Sequence, residues 1–137
     1  MLGTTHLLFS FLFGSFIFKF VGGTFITKVF WTSALLAGTF LPDLDMKFKF
    51  LEHRGLLHTI WLPLALLILG GLVTKLQILF LPFAIGFLSH LFADALNPSG
   101  VAFFAPISNY RLCGPIKTNS LLELCLVIFL LILIFFS

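Results

Sequence analysis

The chain has 137 residues, 60% of them hydrophobic and only 9% charged, with a mean hydropathy of +1.18 and a formal net charge of +3. Soluble domains carry roughly 25% charged residues, so this composition excludes a water-soluble domain and predicts an all-α integral membrane bundle forming one domain over residues 1–137. The positive charge is too small and too scattered to mark a nucleic-acid partner.

A membrane-crossing helix needs roughly 17–25 mostly apolar residues, and the sequence offers about five such stretches. The opening MLGTTHLLFSFLFGSFIF has neither a basic leading segment nor a small-residue cleavage site, so it reads as a retained first span, Thr5–Phe20, and not as a signal peptide. Gly22-Gly23, between Lys19 and Lys28, predicts a turn into a second span, Phe25–Leu41, which Pro42 stops. A third span, Leu56–Val73, runs to a tight turn marked by Gly70-Gly71 and Lys75, and a fourth, Leu76–Leu96, ends at Asn97-Pro98-Ser99-Gly100. The following VAFFAP is apolar but too short to cross, so the 101–118 loop is expected to be interfacial or re-entrant and to lid one face. Ser120-Leu-Leu-Glu123 has the form of a capping box opening a fifth span, Leu121–Phe136. Cys113 and Cys125 lack metal-ligand or redox spacing and read as ordinary small apolar residues.

Following the chain back and forth gathers its chemistry on one membrane face. His6 begins the first span, Asp43 and Asp45 end the second, and Glu52, His53, Arg54 and His58 lead into the third. His90 and Asp94 close the fourth, while the opposite face receives Lys19, Lys28 and Lys75 with glycine-rich turns. An ionisable group inside a bilayer costs about 2.5 kcal/mol or more, so such groups are normally paired and functional.

Each piece has a structural reading of its own. His90 and Asp94, four residues apart, share a helix face and can either converge on an ion or lock helix packing through a hydrogen bond. LPDLD can be a helix stop with capping aspartates, HRGLLH a basic interfacial loop, and His6 an interfacial histidine. Glu123 reads as the cap partner of Ser120 and also faces the polar side. Together, four histidines and three aspartates on one face form an oxygen and nitrogen ligand set, zinc first among its ions, that suits two or three divalent ions or one site with partners that orient its histidines. Arg54 can grip a phosphate oxygen in bidentate fashion or anchor the interface, and Arg111 has the same two readings. No HExxH or GxSxG sequence points to a zincin protease or a serine hydrolase.

His6, GTFLPDLD (38–45), HRGLLHT (53–59) and GFLSHLFADALNPSGVAFFAP (86–106), in this order, resemble the YdjM-type family of membrane-bound, metal-dependent hydrolases, described in bacteria as inner-membrane proteins. That family is regarded as distantly similar to zinc-dependent phospholipase C, an all-helical enzyme with a multinuclear zinc site and its own HxxxD pair. The resemblance implies that His6, Asp43, Asp45, His53, His58, His90 and Asp94 are the metal-site residues. A clear HxxxE partner is missing, a departure that bears on how many metals are held.

The expectation is a hydrolase that cleaves a phosphate ester of a lipid or other amphiphile by metal-activated water. Arg54 and Arg111 would stabilise phosphoryl charge, and Asp45 or Glu52 would take the proton from water. A non-enzymatic metal transporter or sensor could use the same ligands, but a transporter should carry ionisable groups near the midplane and a route to the other face. A purely structural metal staple would need fewer than seven ligands. Five Lys and Arg on the ligand side (Lys47, Lys49, Arg54, Arg111, Lys117) against three opposite lean the site toward the cytoplasm of the cell's inner membrane.

Overall fold

The computed structural model describes residues 1–43, 58–73 and 77–136. Among them are five helices: α1 (Gly3–Val21), α2 (Phe25–Phe40), α3 (Trp61–Leu72), α4 (Gln77–Ala95) and α5 (Leu121–Phe136). No strand occurs among the described residues beyond one isolated bridge between Val101 and Leu112.

The local signals that end the helices act largely as their chemistry dictates. Gly22 closes α1 with a φ of 66°, donating its N–H to the Phe18 carbonyl, with Lys19 in the last turn where the helix dipole favours a cation. Thr24 caps α2, its hydroxyl accepting from the Thr27 N–H at 3.4 Å. Asn97 finishes α4: its side-chain oxygen takes the Ser99 N–H and hydroxyl, its amide reaches Thr118, and its carbonyl accepts from Gly100 and Gly114. Ser120 caps α5 through the Glu123 N–H at 3.3 Å.

Two expectations are corrected. Gly70 and Gly71 do not form the turn between α3 and α4, because α3 continues through both to Leu72. Gly70 instead lets the two helices approach, since a Cβ there would stand 3.2 Å from the Cβ of Phe80. The third helix also begins at Trp61 and not at Leu56; residues 58–60 form a turn, and Leu56 lies outside the described residues.

α4 is the centre of the bundle, packed against α1, α2 and α3, while α5 packs on α1. Three apolar clusters fill the space between them. Phe9, Ala93 and Leu130 join α1, α4 and α5; Trp31, Leu35 and Ile85 join α2 to α4; Phe87, Leu91 and Val101 join α4 to the loop that follows it. That loop lies against the head of α3, where Phe103 accepts from the Ile60 N–H at 2.9 Å and the Trp61 indole donates to the Ala105 carbonyl at 2.8 Å.

The outside carries many large apolar side chains. Phe20, Phe25, Ile26, Leu72, Leu121, Phe135 and Phe136 are all well exposed, far more apolar surface than water tolerates. α1 and α4, at 19 residues each, are long and apolar enough to cross a membrane; α2, α3 and α5 are apolar but shorter, at 16, 12 and 16 residues.

The tightest seam is between α2 and α4. A Cβ on Gly38 would collide with the Phe83 carbonyl, and one on Gly86 with the Leu35 carbonyl, so both contacts are backbone on backbone. Beside this seam, the Thr39 hydroxyl lies 2.8 Å from both the Ser10 hydroxyl and the Leu35 carbonyl, and Ser10 reaches the Gly86 carbonyl at 3.5 Å. Gly38→Ala and Gly86→Ala should each destabilise the fold by about 1–3 kcal/mol through overpacking, read as a lowered unfolding temperature in detergent. Gly71→Ala, where a Cβ meets nothing within 4 Å, should not. Equal behaviour of the three variants would contradict a backbone-close seam.

Candidate metal centre

Four separate stretches of chain deliver ionisable side chains to one end of the bundle. α1 contributes His6 from its first turn, the turn after α2 contributes Asp43, the turn before α3 contributes His58, and α4 contributes His90 and Asp94 from its last two turns. His6, His58, His90 and Asp94 are buried, His90 completely, and Asp43 is partly exposed. The helix directions explain the convergence: α1 starts where α2 and α4 end, so residues 6, 43 and 94 share a level despite their distance in sequence.

Asp94 sits at the middle. Its Oδ1 lies 3.5 Å from His6 Nε2 and 3.3 Å from the Met1 amino group; its Oδ2 lies 3.6 Å from His58 Nε2 and 3.8 Å from His90 Nε2. On its other side, His90 Nε2 is 3.4 Å from Asp43 Oδ1. The His6 and His90 rings stack at 4.0 Å with 13° between their planes, and His58 meets His90 edge-on at 5.7 Å.

These separations are informative. Good N–H···O hydrogen bonds cluster at 2.7–3.2 Å, shorter than any of these imidazole–carboxylate pairs. Two ligand atoms sharing a tetrahedral zinc ion, each about 2.0–2.1 Å from it, stand about 3.3 Å apart, close to what is seen. Two overlapping groups have ligand atoms within 4.8 Å of one another and could hold a metal ion: His6 with His90 and Asp94, and Asp43 with His58 and His90. The donor set fits such an ion. Among the described residues His6 Nδ1 and both His90 ring nitrogens lack a hydrogen bond of good geometry although all are buried, and buried polar atoms left without partners are costly.

The arrangement therefore brings together five of the seven ligand positions expected from the sequence. Asp45 and His53, and with them Glu52 and Arg54, lie outside the described residues. Arg111 is exposed in the loop after α4 and belongs to neither ligand group. Glu123 also belongs to neither; it is buried and bonded to the start of α1. Sequence reasoning missed Thr39, whose main chain lies beside the His90 ring, because a threonine inside an apolar helix carries no signal of what it will face.

If His90 and Asp94 serve one centre, His90→Ala and Asp94→Ala should each strip bound metal, and the double variant should lose little more, since residues acting as a unit are non-additive. Metal counted per chain after purification without chelator reads this directly. Retained metal in both single variants would make the pair a packing contact.

Residues 1–137, the entire chain, match the family described as YdjM inner membrane protein. No curated protein and no solved structure matches the chain. The family match, the apolar exterior and the two helices of membrane-crossing length agree, and the chain belongs to the YdjM inner membrane protein family.

Proposed function

We propose that this protein is a membrane-embedded, metal-dependent hydrolase whose five helices all cross the bilayer and which cleaves a phosphate ester of a lipid or other amphiphile. The observation that carries the reading is the division of labour on Asp94. One carboxylate oxygen faces His6 and the Met1 amino group, and the other faces His58 and His90, with Asp43 beyond. A carboxylate offered on both sides is the natural bridge of a two-ion centre. Asp43, His58, His90 and Asp94 Oδ2 would hold one ion, and they match in number the four ligands that zinc takes. His6 and Asp94 Oδ1 begin the second set, and Asp45 and His53 are its remaining candidates.

Divalent ions held there supply Lewis acidity, lowering the pKa of water and polarising a phosphoryl oxygen. The protein's own groups do the rest. Asp45 or Glu52 accepts the proton from the attacking water, and Arg54, with Arg111 in support, stabilises charge on the phosphoryl oxygens. The site lies at one end of the bundle, where a lipid headgroup meets an apolar surface, so an amphiphilic substrate can reach it without leaving the membrane. A metal transporter is the rival reading, but it needs ionisable groups along a path through the membrane. At the far ends of α1 and α2 the described residues place only Lys19 and Lys28.

Protein prepared without chelator should hold about two divalent ions per chain, zinc first among them, and His6→Ala about one; a single ion in wild type would remove the bridge. The same preparation should release phosphate or a phosphorylated headgroup from one member of a broad lipid panel. A chelator should stop the reaction and added metal should restore it. Arg54→Ala should lower turnover about a hundredfold, as expected for a lost oxyanion donor, and leave metal content intact. Metal binding with no release from any lipid would favour transport over hydrolysis.

A further inference from the structure

Glu123 is a carboxylate buried to 1% exposure on α5, a helix on which Leu130 is the other buried residue. The capping-box pattern sends such a glutamate back to the N–H of its own cap residue. Here it goes elsewhere. Oε1 accepts from the Leu2 N–H at 2.7 Å and from the Thr5 hydroxyl at 2.9 Å, and Oε2 accepts from the Asn119 N–H at 2.8 Å. Two of these three donors belong to the start of α1, more than a hundred residues away in sequence.

The need for this arrangement is visible on α1. The first N–H groups of a helix have no partner within it, and α1 has no side-chain cap of its own, with Leu2 in the cap position. Glu123 fills that role from a neighbouring helix. The carboxylate in turn sits at the starts of two helices, where dipoles favour negative charge, and its bonds are of the stronger charge-assisted kind. The residue next to Thr5 is His6, whose N–H bonds back to the Leu2 carbonyl at 3.4 Å. The turn held by Glu123 is therefore the turn that carries the only ligand α1 provides among the described residues.

We propose that Glu123 is a positioning residue of the metal centre: by capping α1 from α5 it fixes the first turn of α1, and so holds His6 within reach of Asp94 and His90. This rests on the metal reading, but the fixing of α1 can be measured apart from it. Partners that orient metal ligands are worth roughly 10–100-fold in affinity. Zinc affinity, measured in detergent by competition with a chromophoric chelator, should fall about tenfold or more in Glu123→Ala. In a His6→Ala background the same substitution should change it by less than about twofold, because the ligand that Glu123 positions is gone. Glu123→Gln keeps one oxygen for Leu2 and Thr5 but cannot accept from Asn119 with its amide nitrogen. It should fall in between, and it carries the test if the alanine variant does not fold. Unchanged affinity, or an equal loss with and without His6, would overturn the proposal.

Amide hydrogen exchange on the chelator-treated protein supplies the arm that needs no metal. The Glu123 variants should speed exchange at Leu2, Thr5 and His6 while leaving α4 unchanged. Wild-type protein that takes up no zinc would end the metal reading, and exchange would then decide the positioning of His6 by itself. Unaltered exchange in the first turn of α1 would refute that positioning.

Discussion

A carboxylate taken out of water into an apolar bundle must find compensating charge or donors close at hand, and in this protein that requirement falls on Asp94. Its solution uses the Met1 amino group at 3.3 Å and three imidazoles from three different stretches of chain, at 3.5, 3.6 and 3.8 Å. None of the three is a sequence neighbour except His90, one helical turn away. The consequence is architectural. For His6 and His58 to reach Asp94, the start of α1 and the approach to α3 must meet the end of α4, which makes α4 the common wall of the bundle. The ligand geometry and the helix order are thus one constraint seen twice. The imidazole–carboxylate pairs are longer than good hydrogen bonds and leave His/Asp groups that could hold a metal ion.

The seam between α2 and α4 serves the same end. Asp43 has a short side chain, so its 3.4 Å approach to His90 is possible only if the end of α2 lies close against α4. Gly38 and Gly86 provide that closeness by letting backbone meet backbone. Gly86 lies one turn before His90, so its contact with α2 sets the spacing where Asp43 approaches His90. Close approach through small residues is also how helices associate in a lipid medium, where apolar side chains gain little by leaving the equally apolar lipid. The hydroxyls of Ser10 and Thr39 add bonds between neighbouring helices in the same region.

Much of this was legible in the sequence, for physical reasons that can be named. The five apolar stretches correspond to five helices among the described residues, and outside the start of α3 their ends lie close to those expected, because Gly22, Asn97 and Ser120 act through local backbone chemistry that needs no tertiary context. The gathering of His6, Asp43, His58, His90 and Asp94 followed from counting chain reversals, since parity alone places them at one end. What sequence could not supply was anything set by a distant partner. Gly70 looked like a turn because glycine serves both turns and close helix contacts, and only Phe80 across the interface decides between them. Glu123 looked like a local cap for the same reason: its spacing from Ser120 is right for the capping box, and the donors that claim its carboxylate lie at the other end of the chain.

α5 shows how few such long-range contacts a membrane bundle needs. Most of its apolar side chains are exposed, including Leu121, Leu124, Ile128, Phe129, Ile132 and Phe135. In water such a surface drives a helix into a core, whereas against lipid apolar side chains gain little by burial. Burial therefore says little about where α5 should dock or in which rotational setting. A polar group removes the ambiguity, because a buried carboxylate is tolerable only where its donors are. With Leu2, Thr5 and Asn119 satisfying Glu123, one rotation and one height of α5 against α1 are favoured over the rest, and Leu130 packs under Phe9 and Ala93 as a result. Asp94 ties the end of α4 to the start of α1 and the approach to α3, and Glu123 ties α5 to α1. In both cases a single buried carboxylate does by polar pairing what hydrophobic burial cannot do in a medium as apolar as the protein itself.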